Sequence, residues 1–384
     1  MQLDKLVADN AKGTATTSSG GEYHECDASD DALLSFWLLA DVYFEYTRKN
    51  MRFLNEIYKT EFKKEKPGWT TRNTVELDES TLQLRLFNKK RDTVPTLIVA
   101  PYAGHTSTIV DLRNKQSLVE ELIKDGIGTL AVTDWKTATN TMKNYSIDDY
   151  LSDLDRAVNA LGGRVNLIGL CQGGWLSAMY SARFPDKINA IVLAGAPIDT
   201  DAGHGAIKTF AHSYPQSFFE LLVYACGGLM RGDYILNGFK SMHPYKHYLK
   251  KYADLYSHID DENYLRKFES FERWYEYTIN LPGRFYLQAV NELFRENRLF
   301  KGTFIGLGKK LDLHDISCPV YLLAGNSDDI TPPEQVLNAE KHFGTKKGAI
   351  KKMTIDSGHI GLFMGSKALR DAWPKIAKWI NKHS

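Results

Sequence analysis

The sequence predicts an α/β protein, with a mostly parallel sheet covered by helices on both faces and interrupted by a helical insertion. Three observations predict it. Short, continuously apolar runs recur from residue 96 onward, each followed by a segment whose apolar residues fall at helical spacing. This alternation stops near residue 200 and resumes near 318. Between those points the chain is crowded with aromatics and shows no strand alternation.

Taken in order, residues 1–29 are polar and rich in Gly, Ser and Thr, which predicts a disordered tail. Asp30 or Asp31 is expected to cap a long amphipathic helix over 30–60, with Leu34, Trp37, Leu38, Tyr43, Phe44 and Met51 among its apolar positions. That helix either packs on its own domain or meets an apolar partner or a second subunit, so a homodimer stays open. "TVELDESTLQLRLF" alternates as a hairpin does. Strands follow at 96–100, 128–135, 164–170 and 188–195, then at 318–325 and 350–356, with a closing helix that ends in "KIAKWINKHS". The expected division is a core over 30–199 and 313–384, with a helical cap over 200–312.

Composition removes several function classes. A net charge of +1 over 384 residues leaves no electrostatic footprint for nucleic acid. No apolar stretch reaches the roughly 20 residues that span a bilayer. The opening residues lack an apolar core followed by a small-residue cleavage site. Cys26, Cys171, Cys226 and Cys318 fall at irregular spacing, so a disulfide framework is not expected and a cytoplasmic location is. No cysteine and histidine cluster has metal-ligand spacing, and neither metal nor cofactor is expected.

The chemistry concentrates in "NLIGLCQGGWLSAMYSARFPDK". Cys171 stands at a strand-to-helix turn between Gly169 and Gly173, either as a small buried residue or as a nucleophile. Two later stretches decide for the nucleophile. "LLAGNSDDITPP" puts Asp328 just past one strand, and "DSGHIGLFMG" puts His359 just past the next. Residues beyond the strand carboxyl ends share one rim in such a sheet. Nucleophile, acid and histidine in this order are the arrangement of α/β-hydrolases, with Cys in the place of Ser. His359 would take the thiol proton, and Asp328, preferred over Asp329, would fix its tautomer. The oxyanion donors are expected from the backbone of Gln172 and of Tyr102 or Ala103 in "PYAGHTST". His105 in that loop either touches substrate or fixes the loop.

From about Thr96 to the C-terminus the chain resembles the polyhydroxyalkanoate enzymes, Cys-nucleophile proteins that include synthases and intracellular depolymerases. The Cys box, "PDK" and "GHIGLFMGSKA" are similar to the two-subunit synthases. "APYAGH", "VTDW", "AGAPID", "MHPYKHY" and "FYLQAVNELFRENRLFKG" are similar to the depolymerases of poly(3-hydroxybutyrate). Synthases usually carry Trp-x-x-Asp, whereas Trp274 here is followed by Tyr277 at the acid's place. Depolymerases usually have Gln-Pro after the Cys, whereas this chain has Gln172-Gly173. The resemblance implies Cys171, Asp328 and His359 as the triad, and Trp274 as a candidate along the substrate route. It implies a polyester granule or hydroxyalkanoate oligomers as partner, with ester hydrolysis ahead of polymerisation from 3-hydroxyacyl-CoA. A general carboxylesterase and an inactive granule-binding protein are the remaining readings.

Overall fold

The computed structural model describes residues 28–90 and 93–384, with side chains from residue 33 onward. It divides into two units, one ending at Arg52 and the other spanning Phe53–Ser384. Helix α1 runs over Ala28–Ile57 and passes through that boundary, whereas the sequence reading assigned the whole helix to the core. The tail expected over 1–29 lies outside the described residues except for 28 and 29, which are helical. The chain is already helical at Ala28, so Asp30 and Asp31 lie within α1 and neither is the cap. The large apolar side chains of α1 from Leu33 to Met51 are exposed.

The second unit is built on eight strands: β1 Thr74–Asp78, β2 Leu82–Asn88, β3 Thr96–Val99, β4 Leu130–Trp135, β5 Val165–Leu170, β6 Ile188–Ala194, β7 Val320–Gly325 and β8 Ile350–Ile355. They lie in the order β1-β2-β4-β3-β5-β6-β7-β8. The first hairpin is antiparallel and joins β4 antiparallel, and all other pairs are parallel. Burial follows position in the sheet. Strands β3 to β5 are buried throughout, as parallel strands with both faces covered must be, while β2 alternates and the edge strand β8 exposes Lys351 and Lys352.

The crossover helices start where the chain supplies a cap. Ser117 accepts from Glu120 N at 2.9 Å ahead of α2 (Leu118–Lys124). Ser146 and Asp149 form a reciprocal capping box on α3 (Ile147–Ala160). Helix α4 (Gln172–Arg183) opens directly on Cys171.

Between β6 and β7 the chain turns helical, with helices at Ala206–Ser213, Gln216–Ala225, Gly232–Met242, Lys251–Ser257 and Glu262–Glu276. A buried ion cluster ties this insertion to the end of the α1 segment. Lys251 Nζ lies 2.6 Å from Glu61 and 2.8 Å from Glu272, and Lys240 lies 2.5 Å from Glu276. Glu61, Glu272 and Glu276 are close enough together to suit a metal ion, but the two lysines already occupy the middle of them. Among the described residues no helix is long and apolar enough to cross a membrane.

Candidate active site

The site begins with three glycines that let α4 lie on the sheet. A Cβ on Gly169 would meet Gly174 Cα and Ser177 Oγ at 2.7 Å, and one on Gly174 would meet the Ala196 methyl at 2.3 Å. A Cβ on Gly173 would come to 2.0 Å from the Val99 carbonyl oxygen. With the helix held that close, the chain reverses at Cys171 with φ 51° and ψ −118°, a left-handed conformation that a non-glycine residue adopts at a cost. Two hydrogen bonds hold the turn: Cys171 N–H donates to Ala194 O at 3.0 Å, and Gly174 N–H donates to Cys171 O at 2.8 Å. The thiol thereby stands at the amino end of a 12-residue helix.

Strands β7 and β8 deliver the other two residues to the same rim. His359 Nδ1 donates to Asp328 Oδ2 at 2.7 Å, with both side chains buried. The second oxygen of Asp328 accepts from the backbone N–H of Ile330 at 3.0 Å and of Thr331 at 2.8 Å, which fixes the carboxylate. His359 Nε2 is buried and makes no hydrogen bond of good geometry, yet the Cys171 sulfur lies close enough to act on the ring's protonation. Burial opposes charge on this imidazole, but Cys171 and then Asp328 outweigh it, and the pKa stands well above the ordinary 6.5. The Phe363 ring meets the imidazole edge-on at 5.2 Å. Asp329, one residue on, bonds instead to His243 Nε2 at 2.6 Å in an exposed pair.

The loop after β3 carries Tyr102 and Ala103. The Tyr102 hydroxyl is buried, accepts from Tyr150 at 2.7 Å and donates to Asn280 O at 3.1 Å. Its side chain therefore serves the core behind the elbow. Ala103 lines the cavity wall together with Cys171, and Gln172 does so on the helix side. His105 is buried, bonds through Nε2 to Tyr275 O at 3.0 Å and stacks on the Tyr275 ring at 5.3 Å. Burial lowers its pKa to about 4, and the ring, besides holding the loop, lines the larger of the cavities at Cys171. Trp274 is also buried and donates from Nε1 to Thr106 O at 2.9 Å, fastening the insertion to the same loop.

Two cavities meet at Cys171, and both are lined by Ala103, Phe239, Met242 and Ile330. The larger, about 570 Å³, is lined by His243, Lys246, His247, Lys250 and Lys251 together with Asp254, Glu272 and Asp329. The smaller, about 340 Å³, is closed by Phe210, Phe218, Phe219, Leu222, Tyr286 and Phe294. Of the aromatics offered by the sequence, Tyr286 reaches this wall, while Phe285 is packed on Tyr102, Tyr150 and Trp175. Sequence reasoning missed Phe239, Met242 and His243, because an irregular insertion gives no periodicity by which to align a residue with a distant rim.

Comparison with known proteins agrees with this architecture. The chain is 28% identical over 325 residues to the poly(3-hydroxyalkanoate) polymerase subunit PhaC of Haloferax mediterranei, covering 82% of this chain and 64% of that protein. It is 27% identical to the PhaC subunit of Allochromatium vinosum, covering 75% and 81% respectively. The chain spans 64% and 66% of the length of its two haloarchaeal relatives. Among solved structures, a monoacylglycerol lipase of Paleococcus ferrophilus matches with a TM-score of 0.50 at 17% identity, covering 79% of this chain and 99% of the lipase. The fold is that of the α/β-hydrolases, and the resemblance to polyhydroxyalkanoate enzymes holds. Residues 85–382 match the family described as a protein of unknown function (DUF3141), and the chain belongs to that family.

Proposed function

We propose that the protein is a cysteine-dependent acyl-transfer enzyme that cleaves poly(3-hydroxyalkanoate) chains or their oligomers through a thioester on Cys171. The observation that carries this reading is the strained turn at Cys171, set beside the buried His359–Asp328 pair where two cavities meet. The Cys171 thiolate attacks an ester carbonyl, and the backbone N–H groups of Gln172 and Ala103 receive the oxyanion. The His359 imidazolium gives its proton to the leaving alkoxide, which departs as the hydroxyl end of the shortened chain. The neutral imidazole then takes a proton from water, whose hydroxide attacks the thioester. Collapse expels the thiolate and releases a 3-hydroxy acid, so the net change is ester plus water to acid plus alcohol. The apolar cavity suits the acyl portion of such a chain.

Cleavage ranks first because Tyr277 stands where the resembling synthases carry an acid, and it supplies no carboxylate. Polymerisation is the second reading, favoured by the curated relatives, whose names are polymerase subunits. There the same thiol would be loaded from a hydroxyacyl thioester. Pure protein incubated separately with amorphous poly(3-hydroxybutyrate) and with 3-hydroxybutyryl-CoA tests the two. Acid-soluble hydroxyacids from the polymer are expected. Release of CoA with growth of polymer would replace the first reading by the second.

A further inference from the structure

The two cavities that meet at Cys171 differ in what they can bind. His359 lines the larger and not the smaller, whereas Gln172 lines the smaller and not the larger. Lys246, Lys250, Asp254, Glu272 and Asp329 bring charge of both signs to the larger. Among the described residues no charged side chain lines the smaller, whose polar lining is Gln172, Tyr234, Asn237, Tyr286 and Thr331.

The aromatic wall of the smaller cavity is preformed. Phe219 is fully buried and meets Phe210 and Phe218 edge-on at 5.7 and 5.3 Å. Met230 and Leu281, which also line it, are buried register partners in a two-stranded antiparallel pair. At about 340 Å³ it has more than twice the roughly 150 Å³ of a dry apolar cavity that takes benzene, which is room for about a dozen carbons. The arm of a 3-hydroxybutyryl unit, a single methyl group, would leave most of this space without contacts. A longer alkyl arm fills it with apolar contacts alone. More polyester main chain would instead bring an ester group with every unit against the aromatic wall.

On the acyl-transfer reading of this site, His359 protonates the leaving oxygen, and the N–H of Gln172 holds the oxygen that stays with the acyl group. The alcohol then lies towards the larger cavity and the acyl group towards the smaller. We infer that the smaller cavity binds the alkyl arm of the acyl unit, and that the preferred unit is a medium-chain 3-hydroxyacyl group, with 3-hydroxybutyryl a poor one.

The test measures kcat/KM of the full chain on soluble nitrophenyl butyrate and nitrophenyl octanoate. A buried methylene is worth up to about fourfold, so the octanoate should lead by at least about tenfold. Lengthening the alcohol instead, from ethyl to hexyl butyrate, should bring no comparable gain. Leu222→Trp, which fills the wall, should lower the octanoate-to-butyrate ratio by at least about fivefold. Should that variant misfold, Phe218→Ala, which deepens the cavity, should move the optimum to longer acyl chains. If release of CoA marks polymerisation as the reaction, 3-hydroxyoctanoyl-CoA should likewise outrun 3-hydroxybutyryl-CoA. Turnover with a flat acyl profile, or a gain that follows the alcohol, overturns this inference and leaves the acyl-transfer reading standing. Turnover of no ester and no CoA thioester by the folded protein overturns both.

Discussion

Asp328 and Asp329 are neighbours in the chain, and each binds a histidine at nearly the same distance, 2.7 Å to His359 and 2.6 Å to His243. Only their surroundings differ. The first pair is buried, its carboxylate is held by two backbone N–H groups, and a cysteine faces the far side of the ring. The second pair is about half exposed on both sides. A short His–Asp contact is thus no mark of chemistry by itself. Burial strengthens the electrostatics, anchoring fixes the geometry, and a third group gives the proton somewhere to go. His105 extends the contrast: it is as deeply buried as His359 but bonded to backbone carbonyl only, and burial then drives its pKa down rather than up.

The largest effect should come from removing what the buried pair acts on. Cys171→Ala should lower turnover of an activated ester by at least about 10⁴-fold, as loss of a nucleophile does, with the melting temperature close to wild type. Activity above a tenth of wild type would break the assignment.

Next, Asp328→Asn should cost roughly 10³–10⁴-fold, since the imidazole loses its orienting carboxylate. It should also leave a thermodynamic signature. The folded pKa of His359 lies above its unfolded value, so its contribution to stability is complete below about pH 6.5 and is lost as pH rises through the folded value. Removing one of the two charges that raise it should move that loss to lower pH, which melting curves over a pH series would show. An unmoved profile would mean that Asp328 does not hold the proton on the ring.

His105 has the opposite sign. Its folded pKa of about 4 lies below the ordinary 6.5. Its contribution is therefore complete above pH 6.5 and is lost as pH falls towards 4, by on the order of 3 kcal/mol at about 1.36 kcal/mol per unit. His105→Phe should flatten the acid limb of the stability curve, and equal slopes for the two proteins would refute it.

The smallest effect should fall on the exposed pair. Asp329→Asn or His243→Ala should change turnover by no more than about fivefold, the scale of an exposed ion pair worth up to ~1 kcal/mol. A loss matching that of Asp328→Asn would erase the distinction between the neighbours.

The order of strands, and the meeting of Cys171, Asp328 and His359 beyond their carboxyl ends, were legible because each residue follows a short apolar run whose direction the α/β alternation dictates. The insertion was legible only as an interruption. That Phe239 and Met242 would stand at the junction of two cavities depends on how the helix Gly232–Met242 lies over the rim, and no local pattern records that. That the Tyr102 hydroxyl bonds to Tyr150 while Ala103 lines the wall beside Cys171 is likewise a tertiary fact. In α1 the same amphipathic pattern served both a packed helix and an exposed one, since apolar spacing states what a helix needs and not who provides it.

Gly173 also works as a gauge. Strand β3 ends at Val99 and runs straight into the loop bearing Ala103, while Gly173 belongs to the first turn of the helix that bears Gln172. Contact between the glycine and the Val99 carbonyl therefore sets the gap between the two proposed oxyanion donors, which otherwise belong to separate elements. A methyl group at that point would act as a shim. Even where the fold absorbed the overpacking, at a cost of roughly 1–3 kcal/mol, the two donors would be wedged apart and would no longer converge on one oxygen. Binding of a ground-state ester would then survive better than its conversion, so the width of one hydrogen atom on one α-carbon would divide affinity from rate.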